Sequence, residues 1–222
     1  MIEIQKAVKK YGDRTVLDVS DLIFRRGETA VIVGPNGSGK STLLKIIADI
    51  IKGDESSISS KGKILYLPQQ SIAFSKTVKK NLLFSCENSK DKEKRCEELL
   101  RKLNLYHLKD KNAKTLSGGE CQRLALSRIL INEADFLVLD EPSSAADIEG
   151  MEIMEKAIKE YKEKYGCGII MTTHSPKQAK TMGDRIIMLC DGRAVEDGKT
   201  ADILEKPVNE WSKKFISQWK ID

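Results

Sequence analysis

The segment Gly34-Pro35-Asn36-Gly37-Ser38-Gly39-Lys40-Ser41 has the G-x-x-x-x-G-K-S spacing of a loop that cradles phosphate groups. A triphosphate carries dense negative charge, so its binder needs many inward-pointing donors and little side-chain bulk. Gly34, Gly37 and Gly39 let the backbone wrap closely, and the amides opening the following helix add a favourable dipole. In such a loop Lys40 reaches the β and γ phosphates and the Ser41 hydroxyl ligates Mg2+. Farther along, Phe136-Leu137-Val138-Leu139-Asp140-Glu141 is an apolar run ending in two carboxylates. Neighbouring residues of an extended chain face opposite sides, so Asp140 and Glu141 point apart. Such a pair also suits a loop start or a helix cap. Leu116-Ser117-Gly118-Gly119-Glu120 contains an S-x-x-E capping box. Its two glycines weaken a first helical turn by about 1 kcal/mol each relative to alanine. That cost makes sense if another molecule must approach the backbone closely.

Positioning these groups requires buried strands that alternate with helices. Ala30–Val33, Phe136–Leu139, Gly168–Met171 and Ile186–Leu189 are continuous apolar runs, as expected of strands covered on both faces. The run Thr29–Val33 leads into the glycine-rich loop, and a helical pattern follows from Leu43 to Ile51. Met151, Met154, Ile158, Tyr161 and Tyr165 recur at helical spacing behind an N-cap at Asp147. Ser175, Pro176 and Gln178 mark another helix start. Ile2–Tyr11 and Val16–Phe24 are expected to be short strands around a turn at Gly12-Asp13, with a second turn at Arg26-Gly27-Glu28. From about Ser71 to Thr115 the alternation stops. There Cys96, Leu99, Leu100 and Leu103 share one face of a charged helix, which predicts a helical insertion.

These strings, in this order, resemble the ATPase cassette of the ABC superfamily. The Leu116–Glu120 pentapeptide is the specific element, because other phosphate-loop families have no use for it. The resemblance implies an α/β P-loop NTPase core of the ABC ATPase type, with an N-terminal antiparallel β subdomain and an inserted α-helical subdomain. It implies one domain over 1–222, in which 1–70 and 116–205 form the nucleotide-binding core with the β subdomain. Residues 71–115 form the helical subdomain, and 206–222 a short C-terminal helix. The implied ligands are ATP and Mg2+. Tyr11 matches the aromatic that stacks on adenine, and Val16, Gly34, Pro35, Asn36, Gly37, Ser38, Gly39, Lys40, Ser41 and Thr42 match nucleotide-binding positions. Asp140 holds Mg2+ with Ser41 and Gln69, and Glu141 is the base that polarises the attacking water. Gln69 senses the γ-phosphate and joins core to helical subdomain, with Gln70 beside it as an alternative register. His174 matches the switch histidine that contacts the γ-phosphate; His107 is expected to be structural.

In this family Ser117, Gly118, Gly119 and Glu120 meet ATP held by a second cassette, and Ser144-Ala145-Ala146-Asp147 resembles the loop crossing that interface. A head-to-tail homodimer on ATP binding is therefore implied, released by hydrolysis. Three departures stand out. Cys121 replaces the usual Gln after the signature Glu, Ala146 replaces a common Leu, and only 27 residues separate Ser41 from Gln69. The last suggests that a strand hairpin is trimmed.

Composition narrows the function further. With 40% hydrophobic and 32% charged residues, the 222-residue chain suits a soluble globular protein with a substantial core. No apolar stretch approaches the roughly 20 residues needed to cross a bilayer, and the N-terminus lacks the pattern of a secretion signal. Five scattered cysteines without C-x-x-C pairing fit free thiols in a reducing cytosol. Between Lys76 and Lys114, twelve Lys/Arg face six Asp/Glu, an excess of six against the net +5 of the whole chain. Only Phe84 and Tyr106 fall among these lysines, too few aromatics for a stacking surface, so nucleic acid is not indicated and a solvated helical surface is the simpler reading.

The leading expectation is a transporter ATPase, cytoplasmic and peripheral on the inner membrane face. It would dock on integral permease subunits and, through them, on a solute-binding protein. Ile72, Phe74, Val78, Leu82, Leu83 and Phe84 are placed to form an apolar groove for a channel helix, or else to fill the subdomain core. The segment Gly192–Lys199 is similar to importer ATPases. An exporter ATPase and a soluble iron–sulfur assembly ATPase remain alternatives, and a regulatory module without turnover is disfavoured by Glu141 and His174. With 47 residues between Gln69 and Ser117, there is no room for the coiled coil of chromosome and repair relatives.

Overall fold

Residue-by-residue alternation decides how the sheets are covered. The structure, a computed structural model, describes residues 1–87 and 91–219. Its first strands, β1 (Ile2–Tyr11) and β2 (Arg14–Phe24), form an antiparallel hairpin, and β3 (Thr29–Val33) runs into the glycine-rich loop and α1 (Lys40–Ile47). Then come β4 (Glu55–Ser60), β5 (Ile64–Leu67), α2 (Val78–Ser85), α3 (Lys92–Lys102) and two single-turn 3-10 helices at Tyr106–Leu108 and Ala113–Thr115. The second half is α4 (Gly118–Leu130), β6 (Phe136–Asp140), α5 (Ile148–Tyr165), β7 (Gly168–Thr172), α6 (Pro176–Met182), β8 (Arg185–Cys190), β9 (Arg193–Lys199), α7 (Thr200–Glu205) and α8 (Glu210–Gln218).

Two sheets result. One has the order β2-β1-β4 and is antiparallel; the other has the order β5-β6-β7-β3-β8-β9 and is parallel except for β9. The expected architecture is therefore observed, with one qualification. The edge strand β9 makes the main sheet mixed, because a tight turn at Asp191-Gly192 returns the chain beside β8. The hairpin strand β2 begins two residues before the expected Val16. The first helix stops at Ile47 rather than Ile51, since Asp49 turns to a left-handed φ of 55° and Ile50 is exposed.

The two faces of the main sheet carry different partners. Ala30, Ile32, Phe136, Val138, Ile170 and Ile187 face α1 and the antiparallel sheet, while Val31, Val33, Leu137, Leu139, Ile169 and Met171 face α5, α6 and the helical subdomain. Every residue of β3, β6 and β7 is buried, as continuous apolar runs require. Truncating one of these to alanine costs about 2–5 kcal/mol. In the subdomain, Val78 and Leu82 of α2 pack with Cys96, Leu100 and Leu103 in a core continuous with that of the sheet. Asn81 is buried there and staples the incoming chain. Its carboxamide accepts from the Phe74 N–H at 2.9 Å and donates to the carbonyls of Phe74, Lys76 and Thr77. All five cysteines are free thiols, and among the described residues no helix is long and apolar enough to cross a membrane.

Parallel strands end on a common edge. The loops after β5, β6, β7 and β3 carry Gln69, Glu141, His174 and Gly34–Lys40, so the topology brings these groups to one rim.

Candidate active site

The glycine-rich loop is pinned by close backbone approach. Gly34 has φ 154°, and a Cβ there would lie 2.0 Å from the Leu189 carbonyl oxygen; Gly39 has φ 98°, and a Cβ there would lie 2.7 Å from that of Val16. The Gly192 N–H donates to the Ser38 carbonyl at 3.1 Å, and the Asp18 N–H to the Gly192 carbonyl at 2.7 Å. The loop is thus held between the antiparallel sheet and the β8–β9 turn. Lys40 is buried and its Nζ donates to the carbonyls of Gly34 and Pro35 at 2.9 and 3.0 Å. Burial pushes the Lys40 ammonium below its usual pKa, against the opposing pull of the Glu141 and Asp140 carboxylates.

A cleft of about 370 Å³ opens over the loop, lined by Val16, Asn36, Gly37 and Gly39 to Thr42, with Gln69 and Glu141 on its other side. Gly34, Ser38 and Asp140 are buried, and Pro35 lies exposed outside that lining. Tyr11 is exposed at the hairpin end, with the Lys9 ammonium 5.5 Å from its ring centre, and does not line the cleft.

Strand pairing aligns the acidic groups. Asp140 stands opposite Thr172, whose hydroxyl donates to Asp140 Oδ1 at 2.8 Å and accepts from the Glu141 N–H at 2.9 Å. Glu141 has a left-handed φ of 48°, costly for a non-glycine residue unless its surroundings fix it. They do: its carbonyl accepts from Gln122 Nε2 at 3.0 Å, so both its peptide groups are held. Its carboxylate is engaged twice. Gln69 Nε2 donates to Oε2 at 3.0 Å, and His174 Nε2 lies 2.8 Å from Oε1. Gln69, rather than its neighbour Gln70, is the residue at this carboxylate. Gln69, Glu141 and His174, drawn from three separate loops, form one hydrogen-bonded cluster.

The donor set suits magnesium. Ser41 brings a hydroxyl, Gln69 a carboxamide and Asp140 a carboxylate, all hard oxygen donors. Among the described residues no three His, Cys, Asp or Glu are grouped to hold a metal unaided. Mg2+ characteristically takes one or two protein oxygens and completes its shell with substrate phosphates and water.

The Ser117–Glu120 segment opens α4 through a complete capping box. The Glu120 N–H donates to the Ser117 hydroxyl at 3.3 Å, and the Ser117 N–H to the Glu120 carboxylate at 2.7 Å. That second bond holds the Glu120 carboxyl below its usual pKa, outweighing partial burial. None of these four residues, nor Asp147, lines the cleft of its own chain. Asp147 instead caps α5, accepting from the Gly150 N–H at 2.8 Å. A Cβ on Gly119 would lie 3.2 Å from the Ala145 carbonyl oxygen, so the 144–147 loop accounts for that glycine. On Gly118 it would meet only the Ala145 methyl at 3.7 Å, an ordinary contact. The fold itself does not require glycine at 118.

Sequence reasoning missed three supporting residues. Thr172, Gln122 and Gln178 fasten the rim; Gln178 is legible only as part of a helix start, and Thr172 and Gln122, beside polar Thr173 and Arg123, have no distinguishing spacing. Gln122 is buried and also accepts from the Ala145 N–H at 2.9 Å; Gln178 donates to Ser143 Oγ at 2.8 Å and Glu155 Oε1 at 3.0 Å. The available signal was burial of a carboxamide on a helix face otherwise apolar. Of the expected groove residues, Val78 and Leu82 are fully buried in the subdomain core. Ile72 and Phe84 lie outward, 67% and 70% exposed, and the Phe74 and Phe84 rings meet edge-on at 5.6 Å. The Arg128 guanidinium covers Phe74 at 4.4 Å and donates to the Ile72 carbonyl at 2.6 Å.

Comparison with known proteins places these features in a family. The family model described as ABC transporter matches residues 17–144. The chain is 30% identical to the spermidine/putrescine import ATP-binding protein PotA of Bacteroides fragilis, aligned over all of this chain and 51% of that protein. It is 31% identical to the molybdate/tungstate import ATP-binding protein WtpC of Pyrococcus horikoshii, over 97% of this chain and 67% of the relative. The chain thus spans about half to two thirds of the length of such curated relatives. Among solved structures, an ATP-binding subunit of an ABC transporter superposes with a TM-score of 0.86 at 23% identity, covering 98% of this chain and 99% of the other. A dimeric post-hydrolysis ATP-binding cassette bound to ADP and Pi superposes with a TM-score of 0.81 at 27% identity, over 90% of this chain and 99% of that one.

Proposed function

The chain belongs to the ABC transporter family, and we propose that it binds and hydrolyses ATP to drive import through separate membrane-spanning subunits. The observation that carries this reading is the carboxylate of Glu141, fixed by Gln69 and His174 at the mouth of the phosphate-loop cleft. Water attacks the γ-phosphorus, the bond to the β-bridging oxygen breaks, and Glu141 accepts the proton that the water gives up. Lys40 and the loop amides hold the β and γ oxygens. Ser41, Gln69 and Asp140 would hold Mg2+, which neutralises phosphate charge when bound. His174 orients toward the γ-phosphate, Tyr11 stacks on adenine, and Val16 and Thr42 complete the cradle.

One chain supplies half of each site. Ser117, Gly118, Gly119, Glu120 and Asp147 lie outside their own cleft, and Gly118 leaves backbone exposed that the fold does not require. We assign them to the γ-phosphate held by a second copy, arranged head to tail. Residues 1–70 with 116–205 act as the nucleotide core and 71–115 as the arm that carries Ser117 against the partner; the short helix expected over 206–222 corresponds to α8, with 220–222 outside the described residues. The exposed Ile72 and Phe84, with Phe74 half-buried beside them, are the proposed contact for a permease helix, and the chain would then work on the cytoplasmic face of a membrane. A solute-binding protein would join through that permease. Named relatives of nearly equal identity handle a polyamine and an oxyanion. Solute choice therefore resides in other subunits.

Steady-state hydrolysis with Glu141→Gln tests the reading. Loss of a general base lowers turnover by about a hundredfold or more, while ATP binding persists. Undiminished turnover would overturn the assignment of Glu141.

A further inference from the structure

The end of the tail helix touches the His174 segment. Trp211 and Phe215 of α8, and Trp219 capping its C-terminus, recur every fourth residue on the packed side, while Lys213, Lys214 and Ser217 face solvent. Trp211 and Phe215 stack at 5.1 Å and Phe215 and Trp219 meet at 5.4 Å. The helix is anchored at its start, where the Glu196 carboxylate of β9 accepts from the Val208 and Asn209 N–H groups at 2.6 and 3.2 Å. Asn209 in turn caps the helix, accepting from the Trp211 N–H at 2.9 Å. At the far end the indole N–H of Trp219 donates to the His174 carbonyl at 3.1 Å.

His174 is therefore held at both ends. Its imidazole lies 2.8 Å from the Glu141 carboxylate, and its backbone is tied to a helix forty-five residues later. The segment lies between β7 and α6, where the N–H side of the same peptide group, that of Ser175, donates to the Thr173 hydroxyl at 3.0 Å and the Trp219 indole holds its carbonyl side. We propose that Trp219 is a positioning residue for hydrolysis, holding the His174 carbonyl so that the imidazole meets Glu141 and the γ-phosphate. This rests on the role given to His174 above. It makes α8 a working part of the site: whatever displaces the helix slackens the histidine without touching the nucleotide.

Trp219→Phe in the full chain removes the donor and keeps an aromatic ring in the ladder. Turnover falls about fivefold, the order expected for losing one neutral hydrogen bond, while KM for ATP and the thermal midpoint stay unchanged. Unchanged turnover, or a fall matched by a lower thermal midpoint, overturns the proposal. A second readout does not depend on hydrolysis. With Trp211→Phe, Trp219 is the sole indole of a chain that has two tryptophans. Its emission shifts on adding ATP and Mg2+, and the shift saturates with nucleotide binding. Emission that ignores bound ATP counts against the proposal. A wild-type chain that binds ATP without turning it over contradicts the function proposed above, and the emission then decides the Trp219 contact separately.

Discussion

At Glu141 the backbone adopts a left-handed turn that few non-glycine residues take, and three neighbours hold it there. Strain of this kind persists only where surrounding bonds over-determine it, and it is found where a side chain must be aimed. Lys40 shows a different economy. It is buried with its ammonium on loop carbonyls, poised beneath the cleft that Ser41 and Thr42 line. Lys40→Ala removes a charge-assisted donor to phosphate, so ATP affinity measured by calorimetry should fall about a hundredfold. Affinity equal to the wild type would remove the loop from the nucleotide site. The glycines and lysine of the loop were legible from their spacing alone, whereas the Asp140-Glu141 pair, which also suits a loop start or helix cap, became legible only from its order behind the loop and the Leu116–Glu120 string. Thr172 and Gln122 were not legible, since their roles depend on which strand lies beside β6 and which helix faces its loop.

Elements turn local patterns into a rim. The start of α4 depends on the reciprocal bonds between Ser117 and Glu120, and the Ser117 amide holds the Glu120 carboxyl below the ordinary glutamate value of 4.5. A carboxylate depressed in the folded state stabilises it above that ordinary value and loses this contribution as pH falls through the folded pKa. Wild-type stability in denaturant should therefore decline more steeply with acid below pH 4.5 than that of Glu120→Gln, and the two should converge at the lowest pH. Parallel acid profiles would show that the box contributes nothing. The buried strands were legible because burial on both faces leaves unbroken apolar runs. Strand β4, Glu55–Ser60, was not: five of its six residues are polar, and it exists because β1 offers a free edge. It pairs as a single strand between α1 and β5, consistent with a shortened Ser41–Gln69 segment. Similarly β9 carries charge at Arg193, Glu196 and Asp197 and is held by Arg185, which donates to Asp197 from β8.

For the whole molecule, the separation between the Ser117–Glu120 segment and its own cleft is the central fact. A site divided as proposed works only with a partner, and two solved cassettes that superpose on this chain are dimeric. An obstacle on the exposed Ser117 should therefore act between copies rather than within one. Ser117→Arg should leave ATP affinity intact while abolishing ATP-dependent association and most turnover; full turnover would discredit the shared site. The most direct test uses Glu141→Gln, which should bind ATP and consume it at least about a hundredfold more slowly. With saturating ATP and Mg2+, sedimentation should find this variant as a dimer that dissociates when nucleotide is removed. A monomer under those conditions, with ATP demonstrably bound, would contradict the account.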